Sequence, residues 1–167
     1  CFNALNADKL CSFGTKTAAP SWLLWGDSHA RHLLPAISAI AEREGRHLLF
    51  AGAPTCPPLL GISQTDSKKR NFDRCERYQE EVIRRIETMD SLEVVIVAAR
   101  WPIYVEGQRM ATENKATLIL YRKDEDIDLH STSQNAALVE QGLSQARDRI
   151  LASGKRMILV GSVPEIP

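Results

Sequence analysis

Continuous apolar runs along the chain alternate with stretches in which apolar residues recur every three to four positions. The first pattern predicts buried strands, and the second predicts helices with one buried face. The predicted strands are residues 21–26, 46–51, 92–99 and 156–161, and the predicted helices are residues 29–44, 74–89 and 133–153. Strands that alternate with helices predict an α/β fold, a three-layer α/β/α sandwich with a central, mostly parallel sheet.

The segments between these elements carry weaker patterns. Residues 1–20 are predicted to be irregular. Residues 52–71 are predicted to form a loop, long enough to suggest a function. Residues 100–114 are predicted to form another loop. Residues 116–122 are strand-like but bounded by charge, which favours an edge strand or an excursion from the sheet.

Composition excludes several classes of partner. The 21 basic and 21 acidic residues cancel, which argues against nucleic-acid binding and against a polybasic membrane patch. No apolar run approaches the roughly 20 residues that a membrane-spanning helix needs, so the piece is expected to be soluble. A length of 167 residues predicts a single domain over 1–167. Without an initiator methionine or a signal peptide, the chain is interpreted as a segment of a longer protein.

The four cysteines allow three pairings. Cys1 with Cys11 and Cys56 with Cys75 would each close a short local loop, and each bridge would stabilise the fold by about 3 kcal/mol. Zinc sites need closely spaced ligand pairs such as Cys-x-x-Cys, and the sequence has none. Free thiols in a cytosolic protein are the alternative. We favour two disulfides, of which Cys1–Cys11 would tie down the first 20 residues, and an oxidising compartment.

Candidate chemistry lies at residues 25–29, Trp-Gly-Asp-Ser-His, where the first predicted strand meets the first predicted helix. A serine at the start of a helix faces free backbone N–H groups and the positive end of the helix dipole. That environment stabilises an oxyanion, so Ser28 is a candidate nucleophile. The alternative is that Ser28 is an N-terminal helix cap.

The neighbours of Ser28 are weaker candidates. Asp27 is predicted to brace the turn through hydrogen bonds to backbone N–H groups. His29 is adjacent to the serine and is a poor general base. His32, four residues after Ser28, is a weak candidate for a substitute base.

The carboxyl ends of parallel strands form one edge of a sheet, and ligands bind there. Four sites follow predicted strands and are therefore expected to converge: Ser28, Gly52, Arg100 with Trp101, and the segment after Gly161. Trp101 and Tyr104 either stack on a sugar ring or pack within their loop. Arg100 either supports the site or forms a structural ion pair.

Gly26-Asp27-Ser28-His29 resembles the first block of the SGNH (GDSL-like) hydrolases, whose nucleophile is the serine of a Gly-Asp-Ser turn. More of the chain is similar to one branch, the extracytoplasmic SGNH domain fused to membrane acyltransferase-3 proteins that O-acetylate bacterial surface polysaccharides. The matching pieces are residues 24–30 (Leu-Trp-Gly-Asp-Ser-His-Ala), 54–59 (Pro-Thr-Cys-Pro-Pro-Leu), 98–104 (Ala-Ala-Arg-Trp-Pro-Ile-Tyr) and 163–167 (Val-Pro-Glu-Ile-Pro).

The resemblance implies a flavodoxin-like fold, a periplasmic or cell-surface location and acyl transfer through a serine ester, with no cofactor and no metal. Ser28 is implied as the nucleophile, and the N–H groups of Ser28 and Gly52 are implied as oxyanion donors. The family's Gly-x-Asn-Asp block is replaced here by Ala-Arg-Trp at residues 99–101. Further support for substrate or oxyanion is expected from Asp27, Arg100, Trp101 and Tyr104.

The family's base comes from an Asp-x-x-His motif, and residues 1–167 contain none. Asp128 and His130 are only two residues apart and precede a helix. The element that bears the histidine is expected beyond residue 167, as if the domain were truncated at its carboxyl end. Loss of the histidine costs such enzymes several orders of magnitude in rate, so this fragment alone is expected to be nearly inactive.

The leading functional hypothesis is an O-acetyltransferase that receives acetyl from the membrane acyltransferase-3 domain of its parent chain and passes it to a polysaccharide hydroxyl. A carbohydrate O-acetylesterase would use the same residues with water as acceptor. A glycan-binding or docking module on the same scaffold is the non-enzymatic alternative. A metal-dependent phosphoesterase is disfavoured because the second predicted strand ends Phe-Ala-Gly-Ala, without an acidic ligand.

Overall fold

The computed structural model describes residues 10–66, 73–108, 117–122 and 131–162. Its strands are β1 Cys11–Gly14, β2 Pro20–Gly26, β3 His47–Gly52, β4 Ile62–Asp66, β5 Val94–Ala98, β6 Leu118–Arg122 and β7 Arg156–Val160. Its helices are α1 Ser28–Arg43, α2 Asp73–Thr88, α3 Trp101–Glu106 and α4 Asn135–Ala152, the last preceded by a short 3₁₀ turn over Thr132–Gln134. The four predicted strands and the three predicted long helices are all present, with bounds shifted by at most two residues. The burial predicted for the last strand is wrong, because no residue of β7 is buried.

A central five-stranded sheet has the strand order β1-β3-β2-β5-β7. Strands β3, β2, β5 and β7 run parallel, and β1 pairs antiparallel with β3 at one edge. The predicted α/β architecture with a mostly parallel sheet is therefore confirmed. Successive side chains of a strand point to opposite faces, so the burial of every residue of β3 and β5 requires a packed layer on each side of the sheet.

Each face of the sheet has its own core. Leu24 and Phe50 belong to the core beneath α1, which packs Leu33, Leu34 and Ile37 against it. Leu23 and Trp25 belong to the opposite core, which includes Val82, Ile83 and Ile86 of α2 and Ile150 of α4. Strands β2, β3 and β5 are thus covered on both faces, as their continuous apolar character requires.

Three segments predicted to be irregular contain regular structure. Strand β1 lies within residues 1–20, β4 within the predicted loop 52–71, and α3 within the predicted loop 100–114. Strand β1 spans four residues and α3 spans six, so neither shows a readable period. Strand β4, Ile-Ser-Gln-Thr-Asp, has no apolar alternation, yet all five residues are buried.

Two polar side chains of β4 have hydrogen-bond partners in the interior: Ser63 donates to Glu76, and the Gln64 amide donates to the carbonyl of Thr55. The strand pairs antiparallel with β6 in a separate two-stranded sheet. Residues 116–122 were predicted to form an edge strand or an excursion from the sheet. The second alternative is correct, because β6 lies outside the central sheet. The Asn135 side chain binds the backbone of β6: it accepts a hydrogen bond from the Leu120 N–H and donates one to the Leu118 carbonyl.

Strand β7 pairs with β5 on one side and carries apolar side chains exposed to solvent. Ile158 and Leu159 are 50% and 51% exposed, and Leu151 of α4 is 51% exposed. A groove of about 330 Å³ lies between α4 and β7, lined by Leu143, Leu151, Met157 and Leu159 among others. Within the described ranges, no helix has both the length and the apolar character to cross a membrane.

Candidate active site

The site is organised by the ends of three parallel strands. Gly26 at the end of β2 pairs with Gly52 of β3 on one side and with Ala98 of β5 on the other. A β-carbon on Gly26 would lie 1.7 Å from the Ala98 carbonyl oxygen, so only glycine fits between these strands. The Gly26 carbonyl in turn accepts a hydrogen bond of 3.2 Å from the Ala53 N–H. The residues that follow the strands therefore converge at one edge of the sheet, as predicted.

Asp27 connects two helix starts through one buried carboxylate, which is 2% exposed. Its Oδ1 accepts a hydrogen bond of 2.8 Å from the His29 N–H in the first turn of α1. Its Oδ2 accepts hydrogen bonds from the Arg100 N–H at 3.1 Å and from the Tyr104 hydroxyl at 2.8 Å. Asp27 is the N-cap of α1, and it braces the turn by binding backbone N–H groups, as the sequence indicates.

Ser28 is the first residue of α1 and is half-buried. The alternative that Ser28 caps this helix is wrong, because the Asp27 side chain occupies that role. Among the described residues, the Ser28 hydroxyl has no hydrogen-bond partner. In particular, it makes no hydrogen bond with His32, the weak candidate for a substitute base. The His29 and His32 rings instead lie beside each other, with centroids 5.5 Å apart. The hydroxyl is thus not committed to a structural contact within this part of the chain.

The loop that follows Gly52 is held from below by α2. Gln79, which is fully buried, donates to the carbonyls of Cys56 and Pro57 at 2.8 and 2.7 Å and accepts a hydrogen bond from the Trp25 indole. The Cys56–Cys75 disulfide ties the same loop to the same helix, which confirms that predicted pairing. Cys11 is also disulfide-bonded, whereas Cys1 of the predicted Cys1–Cys11 pair lies outside the described residues.

Helix α3 follows β5 after two residues: Arg100 is its N-cap, Trp101 is its first residue and Tyr104 lies one turn further on. The Trp101 N–H donates to the Ser162 hydroxyl at 3.2 Å, and its indole N–H donates to the Val160 carbonyl at 2.8 Å, so Trp101 is tied to the end of β7. Tyr104 is 2% exposed. The sugar-stacking alternative for Tyr104 is therefore wrong, because a buried ring offers no open face. Its hydroxyl supports the turn through Asp27 instead.

Three titratable groups on α2 and α4 have shifted pKa values. Burial, with a smaller contribution from Glu81, raises the pKa of Tyr78 on α2 to about 12. The hydrogen bond from Arg149 lowers the pKa of Glu87, and the same pair raises the pKa of Arg149. Within the described ranges, no group of three or more His, Cys, Asp or Glu side chains is arranged to hold a metal ion.

Gln79 was missed from sequence, whereas the convergence of the segment after Gly161 was predicted without naming Ser162. Gln79 lies on the predicted helix α2, and nothing in its local pattern separates it from a surface glutamine. Ser162 follows β7 and binds the backbone of a residue 61 positions earlier in the chain. A short polar side chain at a strand end is too common a feature to indicate such a contact.

A family model described as "SGNH domain (fused to AT3 domains)" matches residues 1–167. Among solved structures, the chain is similar to the periplasmic domain of a lipopolysaccharide acetyltransferase from Salmonella ser. Paratyphi A, with a TM-score of 0.56 and 18% sequence identity. The match covers 90% of this chain and 48% of that one, so the chain spans about half the length of that structure. At this identity the likeness shows the fold. A comparison with curated protein sequences finds no match.

Proposed function

The chain belongs to the SGNH domain family that is fused to AT3 domains, and from this membership we propose that it is the extracytoplasmic domain of a bacterial surface-polysaccharide O-acetyltransferase. Ser28 carries the acetyl group as an ester between the donor and a sugar hydroxyl. The observation that carries the proposal is the placement of Ser28, at the first position of α1 beside a buried capping carboxylate, with its hydroxyl unbonded within the described chain. The fold shared with a lipopolysaccharide acetyltransferase domain supports a glycan acceptor and a periplasmic location.

The first chemical step forms the acyl-enzyme. The Ser28 oxygen attacks the carbonyl carbon of the donor's acetyl group, and the hydroxyl proton passes to a general base. The carbonyl oxygen becomes an oxyanion, which the backbone N–H groups of Ser28 and Gly52 and the positive end of α1 stabilise. The bond between the acetyl carbon and the donor's leaving group then breaks, the base returns its proton to that leaving group, and acetyl-Ser28 remains.

The second step passes the acetyl group on. The oxygen of a sugar hydroxyl attacks the acetyl carbonyl carbon, and the base removes the sugar's proton. The same N–H groups stabilise the second oxyanion. The bond between the Ser28 oxygen and the acetyl carbon then breaks, and the serine recovers its proton. With water in place of the sugar, the same steps release acetate.

The general base in this proposal comes from outside residues 1–167, because this stretch contains no Asp-x-x-His motif. His32 is a poor substitute, since its ring lies against His29 and makes no hydrogen bond to Ser28. The acetyl donor is the AT3 domain of the parent chain, which the family description supports. Arg100, whose backbone N–H is bound to Asp27, lies at the same edge and supports the substrate or the oxyanion.

The experiment is turnover of 4-nitrophenyl acetate by two forms side by side, residues 1–167 and the complete extracytoplasmic domain of the parent protein. Each form is compared with Ser28→Ala and with Ser38→Ala, a matched control on α1 whose hydroxyl bonds the Pro35 carbonyl. We expect activity in the longer form, a loss of several orders of magnitude with Ser28→Ala, and no change with Ser38→Ala. Intact-mass analysis after rapid quenching should find one added acetyl group that Ser28→Ala abolishes.

The outcomes separate the alternatives. If an added oligosaccharide acceptor becomes acetylated faster than acetate is released, the domain is a transferase, and the reverse ratio makes it an esterase. If neither form turns over ester and Ser28→Ala changes nothing, the enzymatic proposal is wrong. Retention of both forms on immobilised surface polysaccharide would then support the glycan-binding alternative.

A further inference from the structure

The buried carboxylate of Asp27 receives three hydrogen bonds, of which two come from backbone N–H groups and one from a side chain. The backbone donors belong to His29 and Arg100, so they persist under almost any substitution. The side-chain donor is the Tyr104 hydroxyl, 2.8 Å from Oδ2. Tyr104 is therefore the donor in this set that a side-chain substitution can remove.

The hydrogen bond from Tyr104 fixes the residue that directly precedes Ser28. Tyr104 lies in α3, and its contact with Asp27 joins residues that are 77 positions apart in sequence. Asp27 is in turn joined to Ser28 by a peptide bond. Helix α3 is itself anchored, because Trp101 binds Val160 and Ser162 at the end of β7. The orientation of the Asp27 carboxylate, and of the turn that presents Ser28, therefore depends on a helix that is anchored at the end of β7.

The geometry points to Tyr104 as a positioning residue: by donating to the buried Asp27 carboxylate, it holds the turn in which Ser28 is presented at the start of α1. The effect on catalysis rests on the proposed function of Ser28. A nucleophile displaced by about 1 Å loses on the order of a hundredfold in rate, so a hydrogen bond that fixes its turn acts on kcat. Substrate binding does not pass through this contact, because Tyr104 is buried.

The test compares Tyr104→Phe with Tyr78→Phe. Both tyrosines are 2% exposed, and the substitution removes one hydroxyl in each case. The Tyr78 hydroxyl has no hydrogen-bond partner among the described residues, so it controls for loss of a buried hydroxyl alone. The first readout is amide hydrogen exchange of His29 and Arg100, the two N–H groups that Asp27 holds. We expect exchange at both to rise about tenfold in Tyr104→Phe and to stay unchanged in Tyr78→Phe.

The second readout is ester turnover by the complete extracytoplasmic domain. We expect kcat to fall by about tenfold or more in Tyr104→Phe, with KM within about twofold of wild type and with wild-type kcat in Tyr78→Phe. A residue that only stabilises the fold would lower the melting temperature and leave kcat unchanged below it.

Each outcome decides the inference. Unchanged exchange at His29 and Arg100 in Tyr104→Phe overturns the claim that Tyr104 holds the turn. Faster exchange with unchanged kcat limits Tyr104 to a structural role and overturns the positioning claim. If Ser28→Ala leaves turnover unchanged, the proposed function fails separately, and the exchange comparison still decides whether Tyr104 holds the turn.

Discussion

Removal of the Cys56–Cys75 disulfide is expected to lower the free energy of unfolding by about 3 kcal/mol. The two cysteines are 19 positions apart in sequence. For a loop of that length, the cross-link removes about 11 cal/mol/K of entropy from the unfolded chain, or about 3.2 kcal/mol at 25 °C. Both residues also belong to the core between the sheet and α2, so the lost sulfur contacts add to this cost.

The measurement is urea unfolding of wild type and of Cys56→Ala/Cys75→Ala, followed by circular dichroism at pH 7. The double substitution leaves no unpaired thiol at this site. Addition of reductant to both proteins provides the control, because Cys11 is also disulfide-bonded. The double variant should respond to reductant only through that second bond, and wild type should lose the additional 3 kcal/mol or so.

A loss below about 1 kcal/mol in the double variant would refute this reasoning. It would mean that Gln79, which binds the carbonyls of Cys56 and Pro57, holds the loop without the cross-link, or that the unfolded chain is already compact there. Ester turnover by the variant extends the test to the site, because this loop begins at Gly52, the proposed second oxyanion donor.

Three further predictions concern the fold around the site. Gly26→Ala should lower the free energy of unfolding in urea by about 3 kcal/mol or more, because the added β-carbon would lie 1.7 Å from the Ala98 carbonyl oxygen. Gly161→Ala, whose β-carbon would have nothing within 4 Å, should lower it little, and equal losses would contradict the close approach of β2 and β5. The hydrogen bond from Arg149 lowers the pKa of Glu87 from 4.5, so the contribution of Glu87 to stability is complete well above pH 4.5 and is lost as the pH falls below that value. Unfolding at several pH values should therefore show the stability difference between wild type and Glu87→Gln shrinking on acidification, and a difference independent of pH would be the contrary result. Ile158→Lys, on the exposed edge strand β7, should reduce light scattering at high protein concentration without lowering the melting temperature, and unchanged scattering would show that this edge does not drive association.

The regular elements of the sheet could be predicted because their signal is local. The apolar run of residues 94–98 and the helical spacing of Val82, Ile83 and Ile86 reflect burial that each element carries wherever it packs. The elements that were missed lack this signal. Strand β4 buries serine, glutamine, threonine and aspartate, and burial of such residues becomes favourable only when partners such as Glu76 and the Thr55 carbonyl arrive from elsewhere in the chain.

The candidate site divides in the same way. The Gly-Asp-Ser turn, its position after a buried strand and the convergence of strand ends at one edge all follow from local pattern and the rules of parallel sheets. The sequence alone left two choices open: whether Ser28 is a nucleophile or a helix cap, and whether Tyr104 stacks on a sugar ring or packs within its loop. It did not indicate what holds the loop after Gly52.

Sequence by itself determined the α/β architecture, the serine candidate and the family resemblance, because these depend on short-range patterns and on residue identities at fixed spacing. Only the tertiary structure decided that Asp27 is the cap, that Tyr104 is buried against it across 77 residues, and that Gln79 holds the loop beside Gly52. The physical reason is that a buried polar group is stable only with a partner, and a partner distant in sequence leaves no periodic trace in the local pattern.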